Sequence, residues 1–197
     1  MFTKTQIEIM KLFVSQINRR FSIKEATEIL KKPYPLIHRS IKSLIEQKFI
    51  QKDEKGLISL NYKENHSKLT YVESLRSELY LSKDKTLNLF TRDVKEKIGI
   101  DFFVFLIFGS YLEKSNPRDI DVLIIIENED SVSKIDKTLS NIIGHFTKPF
   151  EIQVISIKSA HEMLIKRDKI NILNETLNKH IILFGAENYY KILTDAR

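Results

Sequence analysis

The sequence predicts an α+β chain in three parts, and three observations carry that prediction. Residues 1–62 hold three stripes of helical period followed by a hairpin signature, residues 63–100 hold two more helical stripes, and the strand-length apolar runs 102–108 and 122–126 flank a loop. The expected parts are a small helical domain with a hairpin at 1–62, a helical linker at 63–83, and a mixed sheet covered by helices at 84–197. With 197 residues and 42% hydrophobic content, the chain can bury a core in each half.

The first helix is expected from about Thr3 to Ile17, with Ile7, Met10, Phe13, Val14 and Ile17 on one side and Thr3 as its cap. A second follows Ser22, where Glu25 three residues on suggests a capping box. It carries Ile23, Ala26, Ile29 and Leu30 and is stopped by Pro33. The third starts near Pro35, a favourable first-turn residue, and turns Ile37, Ile41, Leu44 and Ile45 inward. Phe49-Ile50-Gln51-Lys52, the turn Asp53-Glu54-Lys55-Gly56 and Leu57-Ile58-Ser59-Leu60 form the hairpin. In the linker region Leu69, Val72, Leu75 and Leu79 make one stripe. Leu87, Phe90, Val94 and Ile98 make another, after a break at Ser82-Lys83-Asp84. Packing on the flanking domains is expected, with a homodimer interface as the alternative.

The chemistry lies between the two apolar runs. Phe102-Phe103-Val104-Phe105-Leu106-Ile107-Phe108 ends at Gly109-Ser110, and Asp119-Ile120-Asp121 opens Val122-Leu123-Ile124-Ile125-Ile126. Both runs read as buried neighbouring strands. Carboxylates at i and i+2 of a strand share a face, and their repulsion calls for a cation or a proton between them. Hard oxygen ligands suit Mg²⁺ or Mn²⁺ completed by water and phosphate oxygens. Gly109 permits a sharp turn and close backbone approach, and Ser110 adds a hydroxyl beside exposed amides, as a phosphate cradle needs. Further on, a helix is expected at 131–143, one broken or two short helices at 159–167 and 168–177, and a last strand before Gly185.

The chain contains no cysteine, and its five histidines lack ligand spacing, so neither disulfides nor zinc are expected. Its amino terminus lacks an apolar signal core, and no apolar run approaches the roughly eighteen residues of a membrane span. A cytoplasmic protein is expected, with no membrane partner. The net charge of +6 is concentrated early: 12 Lys/Arg against 6 Asp/Glu in 1–62, 8 against 6 in 63–100, and 12 against 14 in 101–197. A basic first domain beside a slightly acidic one points to a polyanion, although a solvated lysine surface looks similar.

Phe108-Gly109-Ser110 and Asp119-Ile120-Asp121 before an aliphatic strand resemble the nucleotidyltransferase fold of the DNA polymerase beta type, in its minimal prokaryotic form; the likeness covers about half the chain. It implies a third carboxylate on a later strand, matched by Glu151 at the head of Glu151-Ile152-Gln153-Val154-Ile155. His180-Ile181-Ile182-Leu183-Phe184-Gly185-Ala186-Glu187 resembles the family's last strand and turn. The implied activity is transfer of a nucleoside monophosphate, AMP from ATP in the expected case, to an acceptor hydroxyl. Asp119, Asp121 and Glu151 would bind Mg²⁺, and Gly109 and Ser110 the triphosphate. Lys114 or Arg118, near in sequence, would neutralise pyrophosphate. Two departures stand out: Tyr111-Leu112-Glu113-Lys114-Ser115-Asn116-Pro117-Arg118 replaces the family's Arg-rich segment, and the third acid is Glu rather than Asp. Likeness to toxin and antitoxin systems with helical protein partners places a protein tyrosine among the implied acceptors; small molecules and RNA ends stay open. No stretch is left for the large acceptor-binding domain of a tRNA-tailing enzyme or a polymerase.

The first three helices and the hairpin resemble a winged helix-turn-helix domain. That likeness implies DNA contact by Tyr34, His38, Arg39, Ser40 and Lys42 on the third helix, with Lys52 and Lys55 of the wing near phosphates. The acidic Asp53-Glu54 at the wing tip weakens the phosphate argument, and winged helices also dock proteins. The competing class is therefore a DNA-binding regulator or antitoxin whose second domain senses nucleotide or is inactive.

Overall fold

The computed structural model describes residues 2–114, 117–166 and 171–196. It begins with α1 (Lys4–Ser15), α2 (Ile23–Leu30), α3 (Tyr34–Glu46) and a hairpin of β1 (Ile50–Lys52) and β2 (Ile58–Leu60). Thr3 caps α1 through a complete capping box: its hydroxyl accepts from the Gln6 N–H at 3.2 Å, and its own N–H donates to Gln6 Oε1 at 2.9 Å. The box expected at α2 is half built. Ser22 accepts from the Glu25 N–H at 3.1 Å, but the Glu25 carboxylate turns to Arg19 instead. Ile9, Met10, Phe13 and Val14 of α1 pack with Ile37, Ile41 and Leu44 of α3, while Ile29, expected inward, is 44% exposed. Phe21 bridges Ile58 through paired backbone hydrogen bonds of 2.8 Å and gives the hairpin a third short partner.

Two helices follow, α4 (His66–Lys83) and α5 (Lys85–Lys97). In α5 the expected stripe of Leu87, Phe90 and Val94 is buried, with Ile98 just beyond it, and Asp84 caps the helix by accepting from the Leu87 N–H at 3.0 Å. The α4 stripe differs from expectation. Leu69 and Val72 are buried, but the helix then buries Glu73, Arg76 and Ser77 and leaves Leu79 48% exposed. Its lower half faces polar partners, which take over from the leucines.

The second half is built on a mixed sheet of β3 (Phe103–Phe108), β4 (Ile120–Ile126), β5 (Phe150–Ser156) and β6 (His180–Phe184), in the order β5-β4-β3-β6. β4 and β5 are parallel, and β3 is antiparallel to both β4 and β6. The helices are α6 (Val132–Ile143), α7 (Ile157–Ile165), α8 (Ile172–Asn178) and α9 (Ala186–Asp195). The junction expected between helical stretches 159–167 and 168–177 falls at 167–170, outside the described residues.

Helices cover both faces of the sheet. Leu87, Phe90, Ile135, Leu139 and Ile142 of α5 and α6 cover Phe105, Val122 and Ile124. Residues of α4, α7, α8 and α9 cover Leu106, Leu123 and Ile125, in a core continuous with that of the first three helices. Burial on both faces is why β3 and β4 read as unbroken apolar runs rather than as alternating strands. The helix α9 was not expected at all, yet Tyr189, Tyr190, Ile192 and Leu193 are buried. Gly185, at φ +74°, makes its start possible, since a Cβ there would lie 2.1 Å from the Phe103 carbonyl oxygen. The Ile17 N–H donates to the Leu177 carbonyl at 2.9 Å and ties the first helical unit to α8. Among the described residues, no helix is long and apolar enough to cross a membrane.

Candidate active site

One row of residues crosses the sheet where β3 ends. Glu151 of β5 pairs with Asp121 of β4, Asp121 with Phe108 of β3, and Phe108 with His180 of β6. Residues in register share a face, so Glu151 and Asp121 lie side by side on the face that also carries Leu123 and Ile125. Asp119 lies one residue before β4, two positions from Asp121, and is half-buried as Asp121 is.

After Phe108 the chain enters a 3-10 turn, Gly109–Leu112. Gly109 has φ +70°, and a Cβ there would stand 2.0 Å from Asp121 Oδ2 and 2.9 Å from its Cγ. Backbone conformation and the space beside Asp121 thus both exclude a side chain at 109. The Ser110 N–H lies close enough to the Asp121 carboxylate to favour its charged form, which links the turn to the acid.

The electrostatics of Asp121 are those of an underserved acid. Burial pushes its carboxyl above the ordinary carboxylate range, and the charges of Asp119 and Glu151 push it further; the Ser110 N–H pulls it partly back. Glu175 on α8 adds a smaller push in the same direction. Nothing in the sequence pointed to Glu175, because only the fold brings α8 within range of the acids. Among the described residues, no three or more His, Asp or Glu are gathered closely enough to form a metal cage by themselves.

The turn is braced from the other face by residues that the sequence also left unmarked. Asp84 Oδ2 accepts from the Tyr111 hydroxyl at 2.8 Å and from Lys148 Nζ at 3.3 Å, while Asp84 Oδ1 caps α5. Lys148 Nζ also stands 4.6 Å from the centre of the Tyr111 ring. These partners hold the Asp84 carboxyl below the ordinary range against the upward push of burial, and burial with the Asp84 contact raises the Tyr111 phenol well above its usual value. Asp84 therefore ties the α5 cap, the Gly-Ser turn and the segment leading to Glu151. The Lys114 N–H closes the turn on the Ser110 carbonyl at 2.9 Å, and Glu113 pins its end to Lys179 at 2.9 Å. The side chains of Lys114 and Arg118 are exposed, and neither makes an ion pair among the described residues.

On the first helical unit, Tyr34, His38, Arg39 and Lys42 of α3 are exposed and Ser40 is half-buried; Lys52 and Lys55 are exposed on the hairpin. The Tyr34 and His38 rings stack at 5.8 Å. Asp53, expected to repel phosphate, is already engaged: it accepts from the N–H groups of Lys55 and Leu57 at 3.0 and 2.9 Å and pairs with Arg20 at 3.1 Å. Comparison with protein-family models, with curated proteins and with solved structures finds no match to the chain.

Proposed function

We propose that the chain is a metal-dependent nucleotidyltransferase of the polymerase beta-like kind, moving a nucleoside monophosphate from a nucleoside triphosphate, ATP in the expected case, to an acceptor hydroxyl. The observation that carries this reading is the join between the Gly109 turn and Asp121: a Cβ at 109 would stand 2.0 Å from the carboxylate, Glu151 lies beside it in register, and Asp119 and Glu151 press on it with like charge. A divalent cation relieves such crowding. The donor set is entirely hard oxygen, which fits Mg²⁺ or Mn²⁺, ions that take one or two carboxylates and leave positions for phosphate oxygens. Asp119 and Asp121 would hold it, and Glu151, which does not close a three-acid cage with them, would meet it from the acceptor side. When bound, the metal neutralises charge on the attacking and leaving oxygens of an in-line displacement.

The chain's own residues supply the remainder. Gly109 lets a triphosphate approach the backbone, and the Ser110 hydroxyl donates to it. Glu151, exposed on β5, takes the proton of the acceptor hydroxyl. The hydroxyl oxygen then bonds to the α-phosphorus, the bond from that phosphorus to the bridging oxygen breaks, and pyrophosphate leaves with the electron pair. Asp119→Asn with Asp121→Asn should abolish calorimetric MgATP binding while the fold survives, and Glu151→Gln should leave binding nearly unchanged and cut transfer from α-labelled ATP at least a hundredfold, about 3 kcal/mol. Equal MgATP affinity in the wild type and the double variant would remove the acids from the site.

The first helical unit favours a second role alongside the first. Its α3 face presents Arg39 and Lys42, with the wing acid Asp53 neutralised by Arg20, an arrangement that suits a winged helix on duplex DNA. Arg39→Ala with Lys42→Ala should weaken duplex binding and reduce its salt slope by up to about two phosphate contacts. A wild type that shows no gel shift at low salt would assign this face to protein docking.

A further inference from the structure

The two edges of the sheet are finished differently. The edge strand β6 is five residues long, its register with β3 slips between Phe105 and Leu106, and buried Arg76 donates through Nη2 to the carbonyl of its first residue, His180, at 2.5 Å. These are the devices by which proteins close an edge. The opposite edge, β5, is seven residues long and holds unbroken register with β4 from Phe150 to Ser156. It contains no lysine, proline or bulge. Among the described residues, no hydrogen bond reaches its outer side.

Register says which groups face outward. The Ile120 N–H donates to the Pro149 carbonyl at 3.0 Å, so Glu151, Gln153 and Ile155 turn their backbone groups toward β4. The N–H and C=O groups of Ile152 and Val154 point away from the sheet, as a template for one more strand. The side chains of Glu151 and Gln153 are exposed on the face that carries Asp121. A residue opposite Glu151 on an added strand therefore sets its side chain on that face, about 5 Å from Glu151, and extends the row that runs on to Asp121.

We propose that an extended segment of an acceptor polypeptide adds to β5 as a fifth strand and presents a Ser, Thr or Tyr hydroxyl opposite Glu151. The chemistry rests on the transferase reading above; the docking rests on the open edge alone. Main-chain pairing supplies affinity and the alternating side chains supply register, so the occupant is a polypeptide and not a free nucleoside or sugar.

Two measurements test it. In the free protein, hydrogen exchange at the Ile152 and Val154 amides should run at least a hundredfold faster than at Gln153 and Ile155; equal protection would overturn the open edge. The probe is a soluble peptide of alternating Thr and Val with lysine ends and one central Tyr, beside the same peptide with alternate backbone nitrogens methylated. The unmodified peptide should slow exchange at Ile152 and Val154 and take label from α-labelled ATP at least tenfold faster than its methylated twin. Ile152→Pro, which removes only an outward N–H from the backbone, should cut that transfer tenfold or more while MgATP affinity stays within twofold; Val154→Pro replaces it if Ile152→Pro fails to bind MgATP. Equal transfer to both peptides, or transfer to free tyrosine or an RNA 3′ hydroxyl in place of the peptide, would overturn strand addition and leave the transferase standing. If MgATP does not bind at all, the transferase fails by itself, and the exchange measurement still decides the docking.

Discussion

Glu73 and Asp121 are carboxylates at opposite ends of one neighbourhood, and the more deeply buried of the two is the one held below its ordinary range. Glu73 is 1% exposed, and burial pushes its carboxyl upward, yet Arg76 at 2.5 Å, His180 at 3.6 Å and the Tyr190 hydroxyl at 2.8 Å hold it below the ordinary range. Asp121 is only half-buried but is pushed up, because it receives one backbone donor and faces two like charges. Asp84 decides between burial and partners as the cause: it too is half-buried, and with the Leu87 N–H, Tyr111 and Lys148 around it, it is pulled down. The supply of donors and cations sets the charge state here, more than depth does. Where that supply is complete the acid holds the fold together, and where it is short the acid is left for a ligand.

The comparison is broken most severely at Glu73. Glu73→Ala leaves the Arg76 guanidinium buried without its carboxylate and should cost about 3–5 kcal/mol in urea unfolding, whereas Glu73→Gln, which keeps an acceptor for Tyr190, should cost less. Asp121→Asn should behave in the opposite way: unfolding free energy equal to or above wild type, with MgATP affinity down more than tenfold, about 1.4 kcal/mol or more, by calorimetry. A clear loss of stability in Asp121→Asn would mean that the acid is structural after all.

Acid titration sharpens the contrast, since the two groups must have opposite slopes. Asp121, whose native value is raised, binds its proton more tightly when folded; it therefore makes stability fall as pH rises from the ordinary value of 3.8 toward the native one. Glu73, whose native value is lowered, adds stability that is present above the ordinary value of 4.5 and is lost as pH falls through the native value. Urea midpoints from about pH 3 to about pH 7 should show the first slope vanish in Asp121→Asn and the second in Glu73→Gln. The smallest effect is expected at Asp84. Tyr111→Phe removes one hydrogen bond, about 1 kcal/mol, and should raise KM for ATP more than it lowers kcat, because it loosens the turn that would grip the triphosphate.

These acids also mark what the sequence could and could not disclose. The strands β3 and β4, the stripe of α5 and the cap at Thr3 were legible because each follows from residues a few positions apart. The sharp turn at Gly109 was legible too, from a glycine at the end of one apolar run, but its tight fit against Asp121 was not. The lower half of α4 was not legible: its partners are Tyr190 and His180, more than 100 positions away, so leucines at helical spacing looked like the buried side when Glu73 and Arg76 are. Glu175 and Lys148 escaped for the same reason, since helix spacing or a local charge run would place them on a solvated surface. The helix α9 was overlooked because Gly185 reads as the end of a strand and not as the hinge into another element.

The hydrogen bond between Glu73 and Tyr190 spans 117 positions and has a consequence for the order in which the molecule is made. During synthesis Glu73 and Arg76 leave the ribosome long before Tyr190 and His180 exist. Until those arrive, α4 has no polar wall to dock against, and the face of the sheet that α7 and α8 cover lacks its last helix. The first three helices can settle early on local contacts, but the sheet closes only when its last strand and α9 have been delivered, with the loop-closure cost that so distant a partner imposes. A chain stopped at Gly185 retains every acid of the candidate site and lacks the helix that locks its scaffold. Such a nascent species would lack the cover that α9 lays over β3, where Leu106 lies, and would depend on chaperones to keep that surface apart from other copies.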